Sequence, residues 1–150
     1  MTESSVPDLD MAIVTCVVDV ALSVSVCWQR IRNFANAGKF LDVPSKLVSG
    51  SGDIGSIRQI GDAILEALVG RSDASYTYVQ TKGPMAAYLY HGCVALTGTG
   101  AESCTLTYTI TFNQAMMDAE RRSNEHTRIS GRFQGAVEAM KRVAELGEVA

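Results

Sequence analysis

The chain has little histidine, no close pair of cysteines and no excess of basic residues, and each shortage removes a class of function. Two histidines and scattered carboxylates in 150 residues form no cluster at ligand spacing, so no metal is expected. Cys16, Cys27, Cys93 and Cys104 stand far apart with no CxxC. Isolated cysteines among apolar neighbours read as small buried hydrophobes, and the set reads as the reduced thiols of a cytoplasmic protein. Thirteen Lys and Arg against 16 Asp and Glu give a formal charge of −3. A broad nucleic-acid surface needs clustered cations to displace phosphate counterions, so that partner is not expected. No apolar run approaches the roughly 20 residues that span a bilayer. The opening Met1–Asp10 is polar and acidic, without a basic stretch ahead of an apolar one, so no signal peptide is expected. No GxSxG nucleophile elbow occurs. The Gly-rich run SGSGDIGSIRQIG leads into a strand, SIRQI, whereas a phosphate-cradling loop opens a helix. Internal repeats and low-complexity tracts are absent too.

What is present is a core. Hydrophobic residues make up 47 % of the chain, enough for one domain over residues 10–150 behind a flexible lead at residues 1–9. The organising element is Ser123–Leu146. Ile129, Phe133, Ala136, Val137, Met140, Val143 and Ala144 recur three or four residues apart, one apolar stripe on a helix of about six turns. Arg128, Arg132, Glu138, Lys141, Arg142 and Glu145 fall mostly outside it, as a solvated back face does. Ser123 can cap its start, Glu125 suits the first turn, and Gly147 suits a left-handed stop.

A helix cannot bury its own stripe, and the rest of the chain supplies the cover. Met11–Val20 is β-branched and nearly continuous, a buried first strand. Ser23 can cap a short helix carrying Val26, Trp28, Ile31 and Phe34; Asn36–Leu41 reads as a second, closed by Pro44. Five strands follow: SIRQI, Ala63–Val69, Ser75–Gln80, Tyr88–Leu96 and Cys104–Phe112. In the last, Leu106, Tyr108, Ile110 and Phe112 alternate with threonines, so the large residues face the helix. This order is an α+β layer arrangement, an antiparallel sheet gripping a helix.

The inward face carries chemistry. It presents Tyr76 or Tyr78, Tyr88, Tyr90 and Tyr108, and Glu66 shares a face with Ile64 and Leu68. A buried phenol wants a hydrogen-bond partner, and a buried carboxylate must be paired or protonated. Polar tips on an apolar wall suit a ligand cavity. The plainer alternative has the hydroxyls at the sheet rim and Glu66 outward, since a one-residue slip inverts a strand's faces. His126, at the stripe's edge, reads either as a solvated helix-end residue or as a proton shuttle at the cavity mouth. His91 alternates with Tyr90 and should face outward.

Several segments resemble one family. VALSVSVCWQRIRNFANAGKF is similar to the strand-to-helix opening of the START-like (SRPBCC) superfamily, nearest its polyketide cyclase/dehydrase branch, with Cys27 splitting the usual Val-Trp pair. Gly55–Arg58 (GSIR), Ile64–Leu68 (ILEAL) and Ser75–Gly92 (SYTYVQTKGPMAAYLYHG) resemble its following strands, in order. The resemblance implies a helix-grip fold, a seven-stranded curved antiparallel sheet around a long C-terminal helix, two short helices after the first strand, and an internal cavity. It also matches Arg58, Glu66, Tyr78, Tyr90 and Tyr108 to pocket positions of plant hormone receptors in the superfamily. Their gate-loop sequence is missing between Arg58 and Glu66, so a receptor role is not expected.

Two functions fit. The first is a cofactor-independent enzyme on a small hydrophobic or aromatic molecule, a cyclase, dehydratase or related lyase working by general acid–base catalysis. Glu66, Tyr90, Tyr108 and His126 are its candidate catalytic residues; Arg58, Tyr78, Tyr88, Phe133, Ala136 and Met140 are candidate ligand contacts. A desolvated Glu66 would act as acid or base, and the phenols would donate to developing charge. The second is a non-catalytic carrier or sensor using the same cavity. Either way the partner is a small hydrophobic or aromatic ligand, with no nucleic acid, no membrane span and no cofactor, and homodimerisation is left open.

Overall fold

The computed structural model describes residues 8–147. Most of the expected flexible lead therefore lies outside the described residues. The elements run β1 (Met11–Val20), α1 (Val24–Ile31), α2 (Gly38–Leu41), β2 (Ser45–Ser49), β3 (Ile57–Ile60), β4 (Ile64–Ser72), β5 (Ser75–Lys82), β6 (His91–Gly100), β7 (Ser103–Asn113) and α3 (Ala119–Glu145). The strands form one seven-stranded sheet in the order β1-β7-β6-β5-β4-β3-β2. Every neighbouring pair is antiparallel. Register shifts at Leu65/Glu66, Leu68/Gly70 and Gly98/Gly100 bend the strands, as an extra residue on one side of a ladder does.

The alternation read from the sequence is the alternation observed. Cys104, Leu106, Tyr108, Ile110 and Phe112 are buried on β7 between half-buried threonines. Tyr76, Tyr78 and Gln80 are buried on β5, and Glu66 and Leu68 on β4. Above this face lies α3, burying Ile129, Phe133, Ala136, Val137, Met140, Val143 and Ala144. It packs on β1 and β7 and against α1 and α2. Among the described residues no helix is long and apolar enough to cross a membrane.

Four boundaries differ from expectation, each for a local reason. The long helix begins at Ala119, not at Ser123: the Asp118 carboxylate accepts from the Arg121 N–H at 2.8 Å, a stronger cap than an internal serine because it also meets the helix dipole. The expected second helix, Asn36–Leu41, shortens to the single turn of α2, ended by Asp42 at φ 57°, and Phe34, expected on the first helix, sits in a separate 3₁₀ turn, Phe34–Asn36, past the end of α1. β2 has no counterpart among the strands read from the sequence. It is a five-residue edge strand with three of its residues exposed, defined by pairing with β3. Tyr88 is not in a strand: Ala86–Tyr88 is a 3₁₀ turn, Leu89 takes φ 53°, and β6 starts at His91. The Gly83-Pro84 pair breaks the ladder there, because proline lacks the donor a strand needs.

Candidate functional site

Three neighbouring strands deliver one polar row to the inside of the sheet. Arg58 on β3 pairs with Glu66 on β4, and Glu66 pairs with Gln80 on β5. They are 0 %, 6 % and 7 % exposed. The Arg58 Nε–H donates to Glu66 Oε1 at 2.9 Å, and Nη1–H donates to the Phe34 carbonyl at 3.0 Å. Nη2 stands 2.8 Å from the same Oε1 but is not aligned with any acceptor, so that contact is coulombic rather than a directed hydrogen bond. The guanidinium lies 4.2 Å over the Phe34 ring and 4.4 Å over the Tyr78 ring, where the negative ring faces favour a cation. Nε and Nη2 both face that one carboxylate oxygen. Glu66 Oε2 has no hydrogen bond among the described residues.

The electrostatics follow from this burial. Desolvation pushes the Glu66 carboxyl above the usual carboxylate range, and Arg58, with Arg132 beyond it, pulls back part of the way. Burial works against the Arg58 charge, but Glu66 and the surrounding phenols outweigh it and hold the guanidinium above its ordinary value. The proton that this pair can exchange is therefore Glu66's.

Beside the row, the Tyr78 and Tyr108 hydroxyls meet at 2.6 Å, both deep in the core. Tyr108 stacks against Phe133 of α3 with ring centroids 4.7 Å apart. Tyr78 fits because Gly92 lies opposite it on β6: a Cβ there would stand 2.5 Å from the Tyr78 oxygen. Tyr90 is buried just ahead of β6, and its carbonyl accepts from the Gln80 N–H at 2.9 Å. Burial drives the Tyr78 and Tyr108 phenols well above their usual range; burial and the Glu66 charge do the same for Tyr90. All three are therefore neutral donors rather than bases.

The row ends under a groove of about 340 Å³ between the sheet and α3. It is lined by Ile64, Gln80, Pro84 and Met85 on one side and by Arg121, Glu125, Arg128 and Arg132 on the other. A second groove, of about 530 Å³, lies at the β4–β5 turn over Trp28, Phe34, Leu68 and Tyr76. Tyr78, Tyr90 and Tyr108 line neither.

The structure thus brings together Arg58, Glu66, Tyr78, Tyr90, Tyr108 and Phe133, with Ala136 and Met140 buried further along the same helix stripe. It does not bring in the other two. His126 is exposed on α3, its Nδ1 3.5 Å from Ser130 Oγ, because the helix turns that position outside the buried stripe. Tyr88 is half-buried outside the strands, accepting from Arg121 Nη1 at 2.9 Å under a guanidinium 4.9 Å from its ring. Sequence reasoning missed Gln80 as a polar member of the row, and the arginines over the groove, which it assigned to solvent or left unassigned. Their signal was present: 121, 125, 128 and 132 recur at helical spacing along one edge of the apolar stripe. No group of three or more His, Cys, Asp or Glu that could hold a metal occurs among the described residues.

No protein-family model matches the chain, and no curated protein matches it in sequence. Solved structures do match in fold. A protein from Thermobifida fusca is 19 % identical with a TM-score of 0.75, over 92 % of this chain and 97 % of that one. Ara h 8.0201 is 12 % identical with a TM-score of 0.70, over 90 % and 98 %. Norcoclaurine synthase from Thalictrum flavum, solved with dopamine and hydroxybenzaldehyde, is 13 % identical with a TM-score of 0.66, over 95 % and 91 %. At such identities the likeness is one of fold, a helix-grip arrangement of an antiparallel sheet around a long C-terminal helix.

Proposed function

We propose that this chain is a cofactor-independent enzyme that moves protons on a small hydrophobic or aromatic molecule, a cyclase, dehydratase or related lyase of the polyketide cyclase/dehydrase kind, acting in the cytoplasm. The observation that carries this reading is Glu66: a carboxyl 6 % exposed, raised in proton affinity by burial, fixed through one oxygen by Arg58 and with the other oxygen unengaged. A carboxyl whose proton affinity burial has raised takes and returns a proton more readily than an exposed one does. The substrate body enters over Ile64, Pro84 and Met85, which line the groove, toward Phe133 and the stripe beyond. Glu66 Oε2 is the acid or base. Tyr90 donates to an oxygen on which charge develops, and the Tyr78–Tyr108 pair keeps one phenolic proton beyond the one it shares. Arg58 positions Glu66 and balances its charge. His126 takes no part. That norcoclaurine synthase, an enzyme whose structure holds two small aromatic molecules, has the same fold makes such chemistry compatible with the architecture, while the fold alone does not choose it.

A carrier or sensor is the second reading. It is favoured by the hydroxyls of Tyr78 and Tyr108 satisfying one another at 2.6 Å inside a packed core. Single-turnover kinetics and calorimetry on one panel of aromatic and polyketide-like carbonyl compounds separate the two. For the enzyme, Glu66→Gln lowers turnover by about 10²-fold with substrate affinity nearly unchanged. For the carrier, the wild type turns nothing over and the same change alters affinity alone. Full turnover in the variant removes Glu66 from the mechanism.

A further inference from the structure

The arginines over the groove are more than a solvated helix face. Arg121, Arg128 and Arg132 share the lining with a single carboxylate, Glu125. Arg128 is ion-paired with Glu125, and Arg121 is engaged by Tyr88. Arg132 has neither a hydrogen bond nor an ion pair among the described residues. Opposite it stands Gln80, more than nine-tenths buried. Its Oε1 accepts from the Met85 N–H at 2.7 Å, which fixes the amide plane and leaves the Nε2 donors pointing elsewhere than at Met85. Nε2 donates to nothing among the described residues. An amide whose Nε2 has no protein partner and a guanidinium without an ion pair, both among the described residues, thus line the same groove, next to the apolar Ile64, Pro84 and Met85.

We propose that this groove seats the carboxylate of an amphipathic organic acid, held by Arg132 and the Gln80 amide while the acid's apolar or aromatic body runs inward past Ile64 and Met85. The inference rests on the ligand pocket proposed above and names the class of molecule that fills it. A carboxylate suits the seat better than a phosphate. Two guanidiniums, Arg121 and Arg132, lack an ion pair once Glu125 is assigned to Arg128, but Arg121 is held by the Tyr88 hydroxyl and ring, so Arg132 alone is left for a monoanion. A dianion would add negative charge near Glu66, which already interacts with Arg132 through space. The planar fork of an arginine with one amide donor also matches the two oxygens of a carboxylate.

Calorimetry with matched probes tests this on the intact chain. Phenyl, naphthyl and decyl bodies are each compared as the carboxylic acid, the primary alcohol and the phosphate monoester. The expected result is at least one acid binding about tenfold or more tightly than its alcohol, the scale of a charge-assisted hydrogen bond. That preference should shrink at high salt, which screens exposed charges. Arg132→Gln should abolish the preference and leave the alcohol's affinity unchanged, and Arg132→Lys should restore part of it. Arg132 is exposed on α3, so both variants should melt with the wild type. Equal affinity of acid and alcohol, or equal weakening of both by Arg132→Gln, overturns the carboxylate seat and leaves the pocket standing. Preference for the phosphate ester over the acid overturns the choice of carboxylate. Failure of all nine probes to bind overturns the seat and the proposed function together.

Discussion

At the scale of residues, the site is defined by which polar atoms are satisfied and which are not. The Tyr78 and Tyr108 hydroxyls satisfy each other, so removing one strands the other. Tyr78→Phe and Tyr108→Phe should each cost about 1–3 kcal/mol, the penalty of a buried unpaired hydroxyl. The double variant should cost less than the sum, because nothing is left unpaired. Denaturant unfolding of the four proteins measures the coupling; additive losses would mean that the two hydroxyls do not depend on each other. Tyr90 is different, since its hydroxyl has no partner among the described residues and its carbonyl supports Gln80. Phenylalanine at that position removes a donor without stranding one. Glu66, Tyr78 and Tyr108 were legible in the sequence because they alternate with outward residues along their strands, whereas Tyr90, read the same way, is buried just ahead of β6. Their partners were not: which phenol meets which depends on register between strands some distance apart in the chain, and that Arg58 turns Nε and Nη2 to one oxygen while Nη1 serves the Phe34 carbonyl depends on a loop that strand parity does not describe.

At the scale of elements, glycine placement decides how the sheet accommodates its aromatic layer. Gly92 lies mid-strand on β6 with Tyr78 against it, and an added Cβ would stand 2.5–2.8 Å from three Tyr78 ring and hydroxyl atoms. Tyr78 cannot swing away, since Arg58, Phe34 and Tyr108 close around it. Gly92→Ala should therefore cost about 1–3 kcal/mol, as overpacking does, where Gly→Ala inside an unobstructed strand is neutral or stabilising. Thermal and urea melts check the sign. Among the elements that sequence reading recovered, β1, β7 and the stripe of α3 carry a pattern long enough to be unmistakable. The ones it lost, β2 and the break at Tyr88, span five residues or fewer. There the outcome is set by a neighbouring strand or by a single Gly-Pro step. The cap at Asp118 was missed for a related reason: the apolar stripe starts well inside the helix, so periodicity cannot locate its first turn.

At the scale of the molecule, two carboxylates tie stability to pH in opposite directions. Burial raises the folded-state proton affinity of Glu66. Its contribution is thus fully present below the unfolded value of about 4.3 and is lost as pH rises through the higher folded value. Glu145 is lowered by the Ala21 N–H and by Lys141, so its contribution is present above the unfolded value and lost as pH falls through the folded one. The wild type should therefore lose ground to Glu66→Gln as pH rises from 4 toward neutrality, and gain ground on Glu145→Gln over the acidic limb. Urea unfolding across pH reads both; a wild type that instead gains stability relative to Glu66→Gln as pH rises would reverse the assignment. The architecture as a whole was the most legible feature, because one amphipathic helix and a run of alternating strands admit few arrangements. The groove was the least legible, because it joins a loop after β5 to a helix edge that sequence alone reads as solvent.

The central claim is that Glu66 is a buried carboxyl whose burial outweighs its arginine, leaving it able to exchange a proton. Carbon-detected NMR of the Glu66 side-chain carboxyl, followed through a pH titration of the folded protein, tests it without knowledge of the substrate. The midpoint should lie clearly above the ordinary glutamate value of about 4.3 and move further up when Arg58 is replaced by methionine. A midpoint at or below that value would mean that Arg58 holds the carboxylate ionised as a structural ion pair, and would contradict the acid–base site.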